Sequence, residues 1–460
     1  MKQPSKEQTK LVIFFAALYA ATGGIFYLTA TRAYHPVDGC DGIRKVMLFL
    51  LAPLLIKYMI QLGCAPFYSI VRRFREQKPE EPPLSVSVLI PAWNEEVGIV
   101  KTIESVLNTQ YQRLQIVVIN DGSTDKTHEI ATRFIEEYQA DESNAAEIKY
   151  LNLPNGGKAK AMNHALLHAY GEIIITVDAD SVMDPGAIRN LVKHFDDPGV
   201  GGVAGNVVIA NRRKPIEWMQ QMEYLYGFFF KRADSLFNSV YIIGGAAAAY
   251  RRKVLQEMGG FDHTIITEDI EMSTRILKHG YKTRYASDAV VYTEGPSELK
   301  GLCNQRLRWK HGRILTFIKH RKLFFSLSPK HNPYLTLFLL PLAVYAELLL
   351  LLEVLLLSAF MAYTVITSDY MPLAMVITLL SAVVSAQIIS DPNRKFHRNL
   401  MLIAPVAWLL FYGMDMIEFQ ALLRSIKRLV TRKELKWQSW ARVGVLEGSH
   451  FCDQSTEPAT

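Results

Sequence analysis

Cysteine is scarce in this chain of 460 residues, which has four: Cys40, Cys64, Cys303 and Cys452. None forms a Cys-x-x-Cys pair, and no histidine accompanies them at metal-ligand spacing, so the sequence excludes a disulfide framework and a structural zinc site. Charged residues are also few, at 21%, with a net charge of +7. Because the basic residues flank apolar segments, we interpret this charge as facing a membrane surface, with no nucleic-acid partner.

Two apolar runs near the N-terminus predict membrane-spanning helices. Leu11–Ala30 contains 20 residues without a charge, about 30 Å as a helix and enough to cross a bilayer. Val46–Ile70 is the second run, interrupted only by Lys57 and Gln61. A signal peptide is the alternative for the first run, but its apolar core is shorter. We therefore predict two membrane helices in residues 1–75.

Basic residues flank both runs. Three precede the first run and four follow the second: Lys2, Lys6, Lys10, Arg72, Arg73, Arg75 and Lys78. The positive-inside rule then places both flanks in the cytoplasm. The proline-rich residues 76–83 are predicted to be a linker, so the polar region that follows is expected in the cytosol.

About three more membrane helices are predicted in residues 319–423, from the apolar runs Leu335–Thr364, Met371–Ser390 and Leu400–Leu423. Three crossings place the C-terminus outside, yet residues 424–460 form a basic tail, which favours the inside. A bend in the first run, or a re-entrant third run around Pro405, reconciles the two, and we expect five membrane spans overall. Four acidic residues lie within these runs: Glu347, Glu353, Asp415 and Glu418. They either line a hydrophilic conduit, or Asp415 and Glu418 lie at an interface while Glu347 and Glu353 pair with other helices.

Residues 84–318 alternate between strand and helix patterns. Ser85–Ile90, Gln115–Ile119 and Glu172–Val177 are short apolar runs typical of buried strands, and segments with helical spacing lie between them. This alternation predicts an α/β domain with a mainly parallel sheet and helices on both of its faces. Ligands of such sheets bind beyond the carboxyl ends of the strands.

Polar motifs follow each of these three strands. They are Pro91-Ala92-Trp93-Asn94-Glu95-Glu96, Asn120-Asp121-Gly122-Ser123 and Asp178-Ala179-Asp180. Singly, each is also typical of an ordinary turn or helix cap, but three together predict a site. In an extended segment Asp178 and Asp180 point the same way, and two carboxylates with open positions suit Mg²⁺ or Mn²⁺. Asn155-Gly156-Gly157-Lys158 offers backbone amides and the Lys158 ammonium as candidate phosphate contacts; the alternative is a flexible surface loop.

Two further motifs lie closer to the C-terminal apolar region. Glu268 and Asp269 form an acidic pair before an amphipathic helix; they are either first-turn acids or a general base for an acceptor hydroxyl. Gln305, Arg308 and Trp309 fall at i, i+3 and i+4, so on a helix they share one face. An amide, a guanidinium and an indole on one face suit a diphosphate and a sugar ring.

The ordered motifs Asp-Gly-Ser, Asp-Ala-Asp, Thr-Glu-Asp and Gln-Arg-Leu-Arg-Trp resemble those of the family-2 glycosyltransferases, processive membrane synthases of polysaccharides. The resemblance implies a GT-A type nucleotide-sugar-binding domain with amphipathic helices at the membrane interface, beside a helical transmembrane bundle. It implies nucleotide binding by Ala92, Asn94, Glu95, Asp121 and Asp178, phosphate binding by Lys158, and metal binding by Asp180. It also implies that Asp269, beside Glu268, is the catalytic base, with Gln305, Arg308 and Trp309 at the diphosphate and the acceptor.

The residues 248–252 and 299–312 resemble most closely the bacterial synthases of poly-β-1,6-N-acetylglucosamine. The expected function is therefore inverting, processive transfer of N-acetylglucosamine from UDP-N-acetylglucosamine to a growing β-linked, β-1,6 polysaccharide of the biofilm matrix. The expected location is the bacterial inner membrane, with a multi-pass anchor and a cytosolic catalytic domain. Cellulose-, chitin- or hyaluronan-like synthesis, a non-processive lipid-phosphate transferase, and a ligand-sensing transporter remain alternatives. No cyclic-dinucleotide-binding domain is apparent, so a small membrane accessory subunit is a further expected partner.

Overall fold

The computed structural model of the protein describes residues 6–37, 40–76, 84–141, 146–433 and 435. The described residues form two compact units. The sheet unit consists of residues from 70 to 211 and from 238 to 295, and the helical unit of residues up to 69, 212–237 and 296–435. Most of the predicted linker at 76–83, most of the tail at 424–460, and the basic residues Lys2 and Lys78 lie outside the described residues.

Thirteen α-helices are present in the described residues. They are α1 (Lys6–Thr31), α2 (Cys40–Glu76), α3 (Ile99–Leu107), α4 (Thr127–Gln139), α5 (Lys158–Leu166), α6 (Ala187–Val192), α7 (Pro215–Leu236), α8 (Arg252–Glu257), α9 (Glu268–Lys278), α10 (Leu299–Lys319), α11 (Leu340–Thr367), α12 (Met371–Ser390) and α13 (Ala407–Thr431). The helices α7 and α10 group with the helical unit. The predicted domain at 84–318 contains all of α7 and all but the last residue of α10, and its limits stay a prediction.

The sheet unit is built on one mixed sheet. Its strands are β1 (Val86–Ala92), β2 (Leu114–Asp121), β3 (Glu147–Leu153), β4 (Ile173–Thr176), β5 (Ser181–Met183), β6 (Val200–Ile209), β7 (Ala248–Arg251) and β8 (Lys282–Thr293). In the described part of the chain they lie in the order β3-β2-β1-β4-β7-β6-β8-β5. The predicted α/β fold is confirmed, and its three predicted strands are β1, β2 and β4.

Parallel pairing holds the first half of the sheet together, because β1 lies between β2 and β4 and β2 also pairs with β3. The second half is mixed: β7 is antiparallel to β4 and β6, β6 is parallel to β8, and β5 is antiparallel to β8. The side chains of Val88, Leu89 and Ile90 in β1 are fully buried. This is the pattern of a strand covered on both faces, as its continuous apolar run predicts.

The helix α3 shows why the sequence folds locally as it does. Four of its five buried residues, Ile99, Thr102, Ile103 and Val106, follow the i, i+3, i+4, i+7 spacing of an amphipathic helix on a sheet. The Thr102 hydroxyl donates to the Ala179 carbonyl oxygen at 2.9 Å. The helix is thereby attached to the segment that follows β4.

Five of the described helical segments are long and apolar enough to cross a bilayer. They lie in the helical unit, except for the end of α2, which extends past residue 69. They are Val12–Thr31, Gly42–Phe74, Tyr334–Thr367, Met371–Ser390 and Ala404–Thr431. Large apolar side chains on the first two are exposed: Phe49 at 79%, Val12 at 68% and Leu48 at 62%. So much exposed apolar surface on a helix is stable in lipid and costly in water.

Candidate active site

The carboxyl ends of three neighbouring parallel strands lie at one edge of the sheet. Ala92 of β1 lies opposite Asn120 of β2, and Leu89 of β1 lies opposite Thr176 of β4. The predicted polar motifs begin at or just after these residues, so the fold brings the loops after β1, β2 and β4 to the same edge. The side chain of Ala92 is itself buried, which leaves only its backbone for a ligand.

The loops after β1 and β2 are joined by hydrogen bonds in both directions. The Asn94 amide N–H donates to Ser123 Oγ at 3.0 Å, and Asn94 Oδ1 accepts from the Thr124 amide at 2.8 Å. The Glu95 amide donates to Thr127 Oγ1 at 2.8 Å. Asn94 adopts a φ of 57°, a left-handed conformation that asparagine tolerates better than most residues. The two loops therefore form one preorganised rim.

Asp121 supports the loop that precedes α5. Its two carboxylate oxygens accept from the amides of Gly156 and Gly157 at 2.8 and 2.9 Å. Gly122 has a φ of 67°, and a Cβ there would lie 2.5 Å from the Asn155 backbone nitrogen, so only glycine fits. The sequence suggested these loop amides as phosphate contacts, but here Asp121 already accepts from two of them.

Lys158 lies between two acidic motifs that are far apart in the sequence. Its ammonium contacts Asp178 Oδ1 and lies 3.4 Å from Glu268 Oε1. The Glu268 side chain is only 8% exposed, whereas that of Asp178 is 35% exposed. The structure thus joins three residues predicted for the site: the phosphate contact, the first acid after β4 and the first acid of α9.

The charges of this cluster depend on one another. Burial by itself lowers the pKa of Lys158, but the Asp178 and Glu268 carboxylates outweigh burial and raise that pKa above its ordinary value. Burial raises the pKa of Glu268; Lys158 opposes this change and Asp269 adds to it. Lys158 therefore stays protonated, and the charge on Glu268 depends on the ammonium beside it.

Asp269, at the start of α9, has different partners from its neighbour Glu268. Its Oδ2 accepts from the Gly245 amide at 2.9 Å, and its Oδ1 accepts from the Ile270 amide at 2.8 Å. The Gly245 carbonyl in turn accepts from Thr176 Oγ1 at 3.0 Å, which attaches this segment to the end of β4. Asp269 is only half-buried, so it is the acid of the pair that a substrate reaches more easily.

The Asp178-Ala179-Asp180 motif forms a turn and is not extended, because β4 ends at Thr176 and the Ser181 amide donates to the Asp178 carbonyl at 3.0 Å. The expectation that an extended backbone points both carboxylates the same way is therefore wrong. Asp180 Oδ1 accepts from Ser181 Oγ at 3.1 Å and from Thr293 Oγ1 at 3.4 Å. The two acids thus have separate partners, Lys158 for the first and hydroxyls for the second.

Two residues near the acids were not predicted from the sequence as site residues. Gly245 belongs to a run of small residues, and nothing local in the sequence signals that its amide holds Asp269. Tyr250, in β7, is fully buried, and its hydroxyl has no hydrogen-bond partner among the described residues. Burial raises the pKa of Tyr250 well above its ordinary value, and Asp269 and Glu268 act in the same direction, so the phenol stays neutral.

The predicted Gln305, Arg308 and Trp309 lie on α10, in the helical unit. Gln305 is buried and its Oε1 has no hydrogen-bond partner among the described residues, whereas Arg308 and Trp309 are half-buried. The guanidinium of Arg306 lies 4.2 Å from the centre of the Trp309 ring, a cation–π distance. Arg306 was not predicted as a functional residue, yet it contacts one that was.

The four acids of the apolar C-terminal runs have partners within the helical unit. Lys310 of α10 lies 2.8 Å from Glu347 and 2.9 Å from Glu418. Glu353 and Asp415 hydrogen-bond to one another. Glu347 and Glu353 thus pair with other helices, as one of the two interpretations predicts. The lining of a conduit, and an interface position for Asp415 and Glu418, stay predictions.

Comparison with known proteins gives the family. Residues 87–259 match the family described as glycosyl transferase family 2. The poly-beta-1,6-N-acetyl-D-glucosamine synthase of Staphylococcus aureus (strain COL) is 30% identical over 300 residues, covering 63% of this chain and 70% of that protein. The synthase of the same name from Staphylococcus epidermidis is 32% identical over 231 residues, covering 49% of this chain and 54% of that protein. The match thus spans about half the length of the latter relative.

A solved structure supports the fold. It is that of a mannosyltransferase from Pyrobaculum calidifontis in complex with GDP-Man and Mn²⁺, with a TM-score of 0.51 and 22% identity, covering 84% of this chain and all of that one. The predicted family and the predicted enzyme class, a nucleotide-sugar glycosyltransferase, are confirmed by the family match and the synthase relatives together. This chain belongs to glycosyl transferase family 2.

Proposed function

We propose that the protein is a processive, inverting glycosyltransferase that polymerises N-acetylglucosamine from UDP-N-acetylglucosamine into a β-1,6-linked exopolysaccharide of a biofilm matrix. The observation that carries this proposal is the position of Asp269, an accessible carboxylate held by the Gly245 amide beside Lys158 and Asp178. A base next to a charged phosphate contact suits transfer from a nucleotide sugar to a hydroxyl. The relatives that are poly-N-acetylglucosamine synthases support the choice of sugar and linkage.

The reaction is a single displacement at the anomeric carbon. Asp269 takes the proton of the acceptor hydroxyl while that oxygen forms a bond to the anomeric carbon. The bond from this carbon to the diphosphate oxygen breaks, and UDP leaves with the electron pair. One displacement inverts the configuration, so an α-linked donor yields a β-linked product. Lys158 stabilises the negative charge that develops on the leaving diphosphate.

The rim formed by the loops after β1 and β2 is proposed to hold the nucleotide, through the Ala92 backbone, Asn94, Glu95 and Asp121. Asp121 does so while supporting the Gly156 and Gly157 amides. In α10, Gln305, Arg308 and Trp309 are proposed to bind the diphosphate and the acceptor end. The half-buried Trp309 ring provides a flat apolar surface for a sugar.

A divalent cation, Mg²⁺ or Mn²⁺, fits the acids that follow β4. No group of three metal-binding side chains occurs among the described residues, but Mg²⁺ is commonly held by one or two carboxylates together with substrate phosphates. Asp180 is the proposed metal ligand, and Asp178 contacts the nucleotide. When bound, the cation supplies charge neutralisation to the diphosphate.

The decisive test uses the full chain, purified in a lipid nanodisc, with a panel of UDP-sugars. We expect long polymer from UDP-N-acetylglucosamine, digestible by a hydrolase specific for β-1,6-linked N-acetylglucosamine. Polymer from another UDP-sugar, or resistance to that hydrolase, overturns the sugar or the linkage. Short lipid-linked products overturn processivity and favour a lipid-phosphate transferase. Binding of UDP-sugars without any UDP release favours a ligand-sensing transporter.

We also propose that the protein is a multi-pass protein of the bacterial inner membrane, with its sheet unit in the cytosol. The apolar helices and the basic residues that flank them support this location. A small membrane accessory subunit is proposed as an activator. Polymer synthesis at full rate by the singly purified chain would count against that subunit, while leaving the glycosyltransferase proposal intact.

A further inference from the structure

Two ends of the helical unit can be told apart by the contacts of α1 and α12. The His35 amide donates to the Thr367 carbonyl at 2.8 Å, and Thr29 Oγ1 donates to the Tyr370 carbonyl at 3.4 Å. The end of α1, the end of α11 and the start of α12 thus lie together. We call this end, residues 29–37 and 367–371, the far face, and the opposite end, where α12 finishes at Ser390, the near face.

The chain after α12 turns back into the unit. Leu400, Ile403 and Ala404 pack with Val384 and Ile388, in the near half of α12. Trp408 packs farther along, with Leu373 and Ile377 in the far half of α12. Residues 391–408 therefore proceed from the near face toward the far face, against the direction of α12.

Hydrogen bonds to α1 and α12 also place residues 402–408 deep in the helical unit. The Tyr19 hydroxyl donates to the Leu402 carbonyl, Ser381 Oγ donates to the Ala404 carbonyl at 2.9 Å, and Trp408 Nε1 donates to Thr22 Oγ1 at 3.1 Å. Tyr19, Thr22 and Ser381 lie near the middle of their helices.

These bonds also satisfy carbonyls of a segment that is not α-helical. Leu400, Val406 and Ala407 are fully buried. Irregular backbone is tolerated at membrane depth where protein covers it and supplies such partners.

The helix α13 then runs back to the near face. Its Met414 and Ile417 pack with Met219 and Leu302, and Met219 also packs against the cluster of Val384 and Ile388 in the near half of α12. From Trp408 to Thr431 the helix rises about 35 Å. It therefore ends at the near face after starting deep in the unit.

We propose that residues 391–431 form a re-entrant arm, which enters the membrane at the near face, turns around Pro405 and leaves at the near face. With α1, α2, α11 and α12 as the four crossings, the chain after α13 lies on the same side as the start of α1. This removes the conflict in the sequence, since the basic residues of the last helix and its end then face the cytoplasm; they are Arg424, Lys427, Arg428, Arg432 and Lys433.

The arm also places an acid against the helix that bears the Gln-Arg-Leu-Arg-Trp motif. Glu418 of α13 lies 2.9 Å from Lys310 and 3.4 Å from Arg306, and His311 Nδ1 lies 3.0 Å from Ser425 Oγ. A helix that crossed to the far face in the usual way would not run beside α10 over this length. The arm therefore holds α10 in position through these contacts, and this role does not depend on which sugar the enzyme uses.

Cysteine labelling tests the arm in the full-length protein. Single cysteines replace exposed residues at three places, Ala33→Cys on the far face, Lys395→Cys at the start of the arm and Lys433→Cys after α13. They are made in a variant whose four native cysteines are serine and which still releases UDP from the donor. A membrane-impermeant maleimide is applied to spheroplasts, before and after permeabilisation.

We expect the Ala33→Cys protein to be labelled in intact spheroplasts, and the Lys395→Cys and Lys433→Cys proteins only after permeabilisation. Labelling of Lys433→Cys together with Ala33→Cys in intact spheroplasts would mean a fifth crossing and overturns the arm. A second measurement does not depend on maleimide reactivity. Alkaline phosphatase fused after Thr460 should be inactive and a fluorescent protein fused there should fluoresce, and the reverse pattern also overturns the arm.

Discussion

Removing the ammonium of Lys158 tests how the acidic cluster is held together. In a Lys158→Met variant, Glu268 keeps its buried position, with an 8% exposed side chain, but loses the cation 3.4 Å away. Breaking a buried ion pair by removing one partner costs about 3–5 kcal/mol, because a charge is left uncompensated. We therefore expect the free energy of unfolding of the sheet unit to fall by about that amount at neutral pH.

The loss should depend on pH in a defined direction. Burial already raises the pKa of Glu268 and Lys158 opposes that change, so removing Lys158 raises the folded-state pKa further. When the pKa of a carboxyl is higher in the folded than in the unfolded state, the free energy of unfolding falls as the pH rises. The fall begins near the unfolded pKa and is complete above the folded pKa. Lys158→Met should consequently be least destabilised at acidic pH, near the unfolded pKa of glutamate at about 4.3, and increasingly destabilised as the pH rises above it.

A second substitution separates this mechanism from a general packing defect. Glu268→Gln in the Lys158→Met background removes the uncompensated charge, so we expect it to restore part of the stability without restoring activity. Lys160→Met is the matched control, since Lys160 lies two residues along α5 with an exposed side chain. The Tm of the parent, the two single variants and the double variant is measured by thermal unfolding in detergent. A loss of about 3–5 kcal/mol corresponds to a decrease in Tm of roughly 6–20 °C. Equal Tm values for Lys158→Met and Lys160→Met, or no recovery in the double variant, would refute the reasoning.

Other consequences of the site are tested more simply. Asp269→Asn should lower the rate of UDP release by about 10²–10⁴-fold, while the Kd for UDP measured by calorimetry stays unchanged. Asp262→Asn, which changes an acid of the preceding loop, should leave the rate near that of the parent protein. Equal rates for the two variants would contradict the role of Asp269. Gly122→Ala and Gly157→Ala both put alanine at a positive φ, which costs about 1–2 kcal/mol of folding free energy. Only the Cβ added at Gly122 lies within 4 Å of other backbone atoms. Gly122→Ala should therefore weaken UDP binding and lower Tm more, and equal effects would rule out the contact with Asn155. Chelation with EDTA should abolish UDP release and Mg²⁺ or Mn²⁺ should restore it, while activity that survives EDTA would remove the metal.

The first half of the sheet was predictable because its signals are local. The apolar runs at β1, β2 and β4 are short, continuous and followed at once by polar motifs. Parallel pairing then brings their ends to one edge without any further information. Asp121, Asp178 and the Asn94 loop were placed correctly at that edge for this reason.

The connections between these motifs were not predictable from the sequence. Lys158 and Glu268 are more than a hundred residues apart, and no local pattern joins an ammonium after a glycine loop to an acid at the start of α9. Gly245 carries no side chain, so its role as the donor to Asp269 has no signature. The turn at Asp178-Ala179-Asp180 was missed because β4 ends earlier than its apolar run does.

The dipeptide Glu268-Asp269 shows how surroundings divide tasks between adjacent acids. Both sit in the first turn of α9, so the helix dipole favours the charge of each. Glu268 is buried against Lys158, whereas Asp269 is half-buried and held by backbone amides that leave its position fixed. An acid paired with a cation stabilises that cation, whereas an accessible acid in a fixed position is the better placed to meet a substrate hydroxyl. The two roles therefore follow from neighbours that are distant in sequence, and exchanging the residues as Glu268→Asp with Asp269→Glu should lose activity although both carboxylates remain.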